Sequence, residues 1–213
     1  MIRNMTDVRR EYGGLDLNVK GSEQDPYLLF NRWLDEIVKT DNYDPTAMLL
    51  STIDFDGRPD SRVVLLKGIE QESFLFYTNY NSSKAIQIDS NPNVSLNFFW
   101  PYMARQINIK GIASKLTAKQ NDDYFYSRPR LSQIAAIASK QSEILKDRME
   151  LEEQMNLLIE KYEQEPIIRP ENWGGFAVKP NEIEFWQGRD NRLHDRLIYK
   201  KLAEKWQICR LAP

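Results

Sequence analysis

The chain has 213 residues, 41% hydrophobic and 28% charged, with a formal net charge of −2. That is enough apolar content for a packed core, and the charge balance gives no global pull toward nucleic acid or an anionic membrane. One cysteine, Cys209, and one histidine, His194, exclude an internal disulfide framework and the usual zinc ligand sets.

No apolar run approaches the roughly 18 residues of a membrane span, and the first twenty residues lack a signal-peptide core, so a cytoplasmic protein is expected. Residues 1–22 are polar, contain Gly13-Gly14 and read as a mobile arm. Residues 23–213 read as a single domain with a helical insertion over about 118–165. Asp25-Pro26, an N-cap followed by proline, starts a helix to about Thr40 with Leu29, Phe30, Trp33, Leu34 and Ile37 on its apolar stripe.

The period then becomes strand-like. Strands are expected over 47–53, 62–69, 74–78, 94–100 and 106–116, with a hairpin turn at Asp54-Phe55-Asp56-Gly57 and a short helix from Asn81-Ser82-Ser83. Helices follow over 118–127, 131–138 and 142–164, the last as an amphipathic surface helix. Strands over 174–178, 183–187, 196–199 and 206–211 finish the chain. Hairpin spacing argues for a mainly β, α+β fold built on an antiparallel barrel.

Polar and cationic groups gather in five places. Arg62-Val63-Val64-Leu65-Leu66-Lys67 carries a cation at each end; alternation would send Arg62 and Lys67 to opposite faces, as two anion sites or as the snorkelling ends of a buried strand. Tyr77-Thr78-Asn79-Tyr80-Asn81-Ser82-Ser83-Lys84 joins hydroxyls, a helix start and a lysine, a phosphate cradle unless the serine is a plain cap. Tyr124 and Arg128 are four apart on a helix that Pro129 interrupts, and Ser132 would cap the next helix. Ser139-Lys140-Gln141-Ser142 is polar and would open the last helix.

The fifth stretch runs from Glu184 to Arg196. As an extended strand it would project Arg192, His194 and Arg196 on one face beside Phe185 and Trp186. The arginines would favour a neutral imidazole. Such a face is often merely solvated; with the aromatic wall it suits a planar anion. The chain has no nucleophile elbow, no Walker loop and no Gly-rich dinucleotide motif, so redox chemistry would need a borrowed cofactor.

The runs RVVLLKG at 62–68, FYTNYNSSK at 76–84, RQ at 105–106, YFYSRPRLSQIAAIASKQS at 124–142, WGGF at 173–176 and EFWQGRDNRLHDR at 184–196 closely resemble the pyridoxamine 5′-phosphate oxidase family. The resemblance implies an FMN-binding split β-barrel and a homodimer with FMN at the subunit interface. It also implies oxidation of pyridoxine 5′-phosphate and pyridoxamine 5′-phosphate by O2. It assigns Arg62, Val63, Leu66, Lys67, Tyr77, Thr78, Ser83, Lys84, Gln106, Gln141, Ser142, Trp186 and Arg196 to the cofactor. It assigns Arg9, Tyr12, Lys67, Tyr124, Arg128 and Ser132 to the substrate, with Arg192 and His194 as catalytic residues beside the pyridine ring. Ser83 departs from the pattern, which commonly has a second basic residue there. A charged hydrogen bond lost without compensation would weaken FMN binding by about 1.5–3 kcal/mol.

Overall fold

The structure, a computed structural model, describes residues 11–13, 16–40 and 44–213; Arg9 lies outside them. In chain order the elements are α1 (Pro26–Val38), β1 (Ala47–Ile53), β2 (Pro59–Leu65), β3 (Gly68–Glu70), β4 (Ser73–Asn79), α2 (Ser83–Ser90), β5 (Asn93–Trp100), β6 (Arg105–Lys115), α3 (Ala118–Ser127), α4 (Arg130–Ala138), α5 (Arg148–Gln164), β7 (Trp173–Gln187), β8 (Asp195–Leu202) and β9 (Lys205–Leu211). Strands dominate; the sheet order is β2-β1-β5-β6-β7-β4-β3, with β8 on β7 and β9 on β8. The residues cluster into two compact units, one of Met1–Leu49, Ser95–Gly111 and Pro180–Pro213, the other of Leu50–Val94 and Ile112–Lys179.

In the first unit, α1 starts as expected. The Asp25 side chain accepts the Tyr27 N–H at 2.8 Å and Pro26 takes the first helical position. Its buried stripe seats Phe30 against Phe98 and Trp33 against Phe185, each pair 5.2 Å between ring centres and edge-on. Each such ring contributes about 1.5–3 kcal/mol by leaving water, so the stripe rather than helix propensity holds α1 in place. The described residues of the N-terminal arm are tied to this unit. Leu17 is buried and its N–H donates to Asp195 Oδ2 at 3.1 Å, while Tyr12 and Gly13 donate to Asp190 Oδ1 at 3.1 and 2.8 Å.

In the second unit, β4 pairs antiparallel with β3 and with Trp173–Val178 of β7. Phe74 and Phe76 are fully buried, as is Phe176 opposite Phe76. The surface helix α5 has no buried residue.

Three element boundaries differ from expectation. The 62–69 strand is two strands, because the chain changes partner: β2 lies beside β1, while the Lys67 N–H and β3 pair with β4. The last helix starts at Arg148, not at 142. Ser142 has φ +77°, and the Gln141 and Ser142 side chains are spent on other segments, so the backbone is held out of a helix until Asp147 caps one. Finally, 174–178 and 183–187 belong to one strand, β7. Pro180 falls between its two registers, Trp173–Val178 on β4 and Glu182–Gln187 on β8, where its missing N–H breaks neither ladder.

Candidate functional site

Within the second unit a cavity of about 650 Å³, in the usual range for small-molecule sites, is lined from β2, β4, α2, α3, α4 and the segment after α4. Arg62, Val63 and Lys67 all line it, so Arg62 and Lys67 do not serve opposite faces: the break between β2 and β3 resets the alternation. Leu66 is instead buried, at 6% exposure, and does not line the cavity.

The wall at α2 is cationic. The Lys84 side chain, on the first turn, places Nζ 3.3 Å from both Thr78 Oγ1 and Gln141 Oε1. Burial, then the Arg62 charge, pulls the Lys84 ammonium below its ordinary pKa, with Asp60 opposing. Ser82 occupies the N-cap but makes no capping bond; its hydroxyl donates to Asn79 O at 2.7 Å. The positive end of α2 is therefore not closed by its own side-chain cap, which suits an anion. The Ser83 N–H donates to Ser142 Oγ at 3.2 Å, so the position lacking the family's basic side chain is tied to the segment after α4.

Along the same cavity runs an aromatic stack. Tyr77 and Tyr124 lie 3.8 Å apart and 19° from parallel, with Trp173 5.6 Å from Tyr77 and 12° from parallel. Gly175 is opposite Tyr77 across the β4–β7 ladder, and a Cβ there would sit 2.8 Å from the tyrosine ring. A Cβ at Gly174 would lie 2.3 Å from the Tyr80 hydroxyl. The two glycines after Trp173 thus let rings lie directly on the strand. Burial, followed by the charges of Glu70 and neighbouring groups, pushes the Tyr77 phenol up to about 12. Burial also raises Tyr124, against the pull of Arg128.

Arg128 follows α3 and lays its guanidinium 4.6 Å from the Trp173 ring centre. Its Nη1 is buried without a hydrogen-bond partner among the described residues. A buried unpaired donor costs about 1–3 kcal/mol, more when charged, which marks a place for an acceptor. Ser132 does not cap α4; it lies within the first turn, half-buried, and outside the cavity lining.

In the first unit, the expected Arg192–His194–Arg196 strand face does not form. Asp190–Arg192 is a 3-10 turn with Asn191 and Arg192 at φ +55° and +60°, and β8 begins only at Asp195. The turn leaves Arg192 exposed, whereas His194 packs 4.7 Å from Trp186 and 5.7 Å from Tyr12. His194 Nδ1 accepts the Arg189 N–H at 3.0 Å, which places the proton of the neutral ring on Nε2. Arg196 is opposite Trp186 across the β7–β8 ladder and donates to Glu184 Oε1 at 2.7 Å and to Ala212 O at 2.9 Å. Gln106 is half-buried on β6, next to Arg105, whose 4%-exposed side chain is clamped between Gln187 and Glu36.

The assigned residues thus fall into two groups, one per unit. The sequence reading gave no role to Trp173, although an aromatic beside two glycines was the available signal. Nor did it find Asp190, whose carboxylate holds the arm through two backbone N–H groups.

Residues 34–187 match the family model for pyridoxamine 5′-phosphate oxidase, and 173–213 match the model for the pyridoxine 5′-phosphate oxidase C-terminal dimerisation region. The chain belongs to the pyridoxamine 5′-phosphate oxidase family. It is 54% identical over 211 residues to pyridoxine/pyridoxamine 5′-phosphate oxidase of Legionella pneumophila strain Paris, covering 99% of this chain and 98% of that one. Among solved structures it resembles PhzG of Burkholderia lata 383, in complex with tetrahydrophenazine-1-carboxylic acid, at TM-score 0.87 and 29% identity, over 94% of this chain and 100% of that one. A pyridoxamine 5′-phosphate oxidase-related FMN-binding protein of Nostoc punctiforme superposes at TM-score 0.71 and 16% identity, over 89% of this chain and 98% of that one. The split-barrel fold expected from the sequence is therefore that of this oxidoreductase family. A cationic helix start, flat rings and a guanidinium whose buried Nη1 has no partner among the described residues, all in one cavity, fit a phosphorylated planar cofactor such as a flavin.

Proposed function

We propose that this member of the family is an FMN-dependent oxidase. It converts pyridoxine 5′-phosphate and pyridoxamine 5′-phosphate to pyridoxal 5′-phosphate, as a homodimer with FMN at the subunit interface. The observation that carries the reading is one cavity lined by two cationic groups, Lys84 at the start of α2 and Arg128, whose buried Nη1 has no hydrogen-bond partner among the described residues. A binder of one phosphate has no use for both. Bound FMN would supply a two-electron acceptor that dioxygen reoxidises, yielding hydrogen peroxide, with ammonia released from the amine substrate.

The chain's own part is positioning. Lys84, Arg62, Thr78 and Gln141, with Ser142 and Ser83, hold the cofactor phosphate at the open start of α2. Tyr124, Arg128 and Lys67, with Ser132, hold the substrate phosphate, and desolvation strengthens each charged hydrogen bond. Trp186 and Arg196 complete the cofactor site, and Arg192 and His194 orient the pyridine ring. Tyr12 covers the ring, a role that fits its edge contacts with Trp186 and His194. Holding the reacting carbon in place is worth several kcal/mol of barrier without strong acid–base catalysis. A single exposed free cysteine suits the reducing cytoplasm.

Anaerobic addition of pyridoxamine 5′-phosphate to the purified yellow protein tests this. The flavin absorbance should bleach, and readmitted air should restore it with peroxide. A protein that stays oxidised with both phosphorylated substrates, or bleaches only with tetrahydrophenazine-1-carboxylic acid, overturns the reading.

A further inference from the structure

Gln87 lies on α2, three residues after Lys84 and on the same helical face. Its side chain is buried, at 9% exposure, and it does not line the cavity. It closes a polar ring around Arg62. Gln87 Oε1 accepts from Arg62 Nη2 at 3.2 Å and from the Thr52 hydroxyl, while its Nε2 donates to Asp60 Oδ2 at 3.1 Å. Asp60 Oδ2 in turn pairs with Arg62 Nη2 at 2.5 Å, and Thr52 Oγ1 accepts from Arg62 Nη1 at 2.6 Å. A neutral carboxamide is the group that can accept from a cation and donate to a carboxylate at once. The Gln87 hydrogen bond is also the foremost influence on Asp60, whose carboxyl sits below its ordinary pKa.

We propose that Gln87 is a positioning residue for anion binding. Through it α2, which carries Lys84 directly, also fixes the guanidinium of Arg62, so one helix sets both cations of the cradle. Without Gln87, Arg62 Nη1 keeps Thr52 Oγ1 and Leu50 O, but Nη2 is left to the ion pair with Asp60, whose side chain is 47% exposed, and that end of the guanidinium is held less firmly. The inference rests on the proposed cofactor reading and concerns only how the cofactor's phosphate is held.

The test is a double-mutant cycle on FMN affinity, measured by quenching of flavin fluorescence on titration of the full-length apoprotein. Gln87→Met should raise the FMN dissociation constant about tenfold, as loss of a hydrogen bond to a charged group would. In an Arg62→Met background the same change should cost less than about twofold, because its effect passes through Arg62. A purely structural role would weaken binding equally in both backgrounds, and that result overturns the proposal, as does an unchanged constant in the single variant. Should Gln87→Met not fold, Thr52→Val removes the neighbouring corner of the ring and must show the same dependence on Arg62. A wild-type chain that binds no FMN overturns the cofactor reading as well. A wild-type chain that binds FMN as tightly as its Gln87→Met variant overturns this inference alone.

Discussion

The guanidinium of Arg128 rests 4.6 Å from the centre of the Trp173 ring while its Nη1 stays buried and unpaired. The ring supports the cation from one face and leaves its edge for an acceptor. Trp173→Leu removes a desolvated cation–π contact worth about 2 kcal/mol. The KM for the phosphorylated substrate should rise roughly 10- to 30-fold with kcat at saturation little changed. A fall in kcat alone would show that the ring acts on the chemistry rather than on the phosphate.

In the proposed reading Lys84 and Arg128 serve different anion sites, so their removal should differ in kind. Lys84→Ala loses a charged hydrogen bond of about 1.5–3 kcal/mol and should release FMN on dialysis while affecting the substrate KM less. If retention of FMN is unaffected and KM rises, the two sites have been assigned the wrong way round.

Arg192 sits in a left-handed turn, exposed, outside any strand. Arg192→Leu should keep FMN bound and the fold intact, yet lower turnover by at least about 100-fold if it orients the pyridine ring. Steady-state rates beside the flavin absorbance decide it; unchanged turnover would remove Arg192 from the mechanism.

Asp195 joins the arm to the body, accepting from the Leu17 N–H and from Arg210 Nη1 at 2.5 Å. Burial pushes its carboxyl up, but the Arg210 hydrogen bond, the Leu17 N–H and the charges of Arg210 and Arg189 together hold it below its ordinary 3.8. A folded-state pKa under the unfolded value adds stability that is fully present above pH 3.8 and is lost as the pH falls through the folded value. Asp195→Asn should therefore melt lower than the parent near neutral pH, with the gap closing below pH 3.8. A gap that is constant with pH would mean that packing, not charge, does the anchoring.

Gly175→Ala would put a methyl 2.6 Å from a Leu116 methyl and 2.8 Å from the Tyr77 ring, so both side chains would have to shift. Overpacking of this kind costs about 1–3 kcal/mol. A lower melting temperature together with weaker substrate binding is expected, because the displaced ring is the one stacked on Tyr124.

Much of this was legible in the chain. Asp25-Pro26 and the turn at Gly57 are local signals, and local physics honours them. The failures share a cause: distant partners decide the backbone. Arg62 and Lys67 look opposed by alternation, but the exchange of β1 for β4 as neighbour cannot be seen from the residues between them. Arg192 and His194 look like strand because nothing nearby reveals that the Asp190 carboxylate will be occupied by Tyr12 and Gly13, about 180 positions away. The resemblance named a set of residues, yet could not tell which of them share a wall.

Ser142 keeps a left-handed backbone, at φ +77°, that glycine would adopt freely. Of order 1–3 kcal/mol is stored there, and the hydroxyl that tethers α2 comes with it. On the proposed assignment of Ser142 to the cofactor, heat tolerance and grip on the prosthetic group therefore pull in opposite directions at this single position. A selection for thermal endurance alone would drift toward glycine here and yield a hardier, paler enzyme.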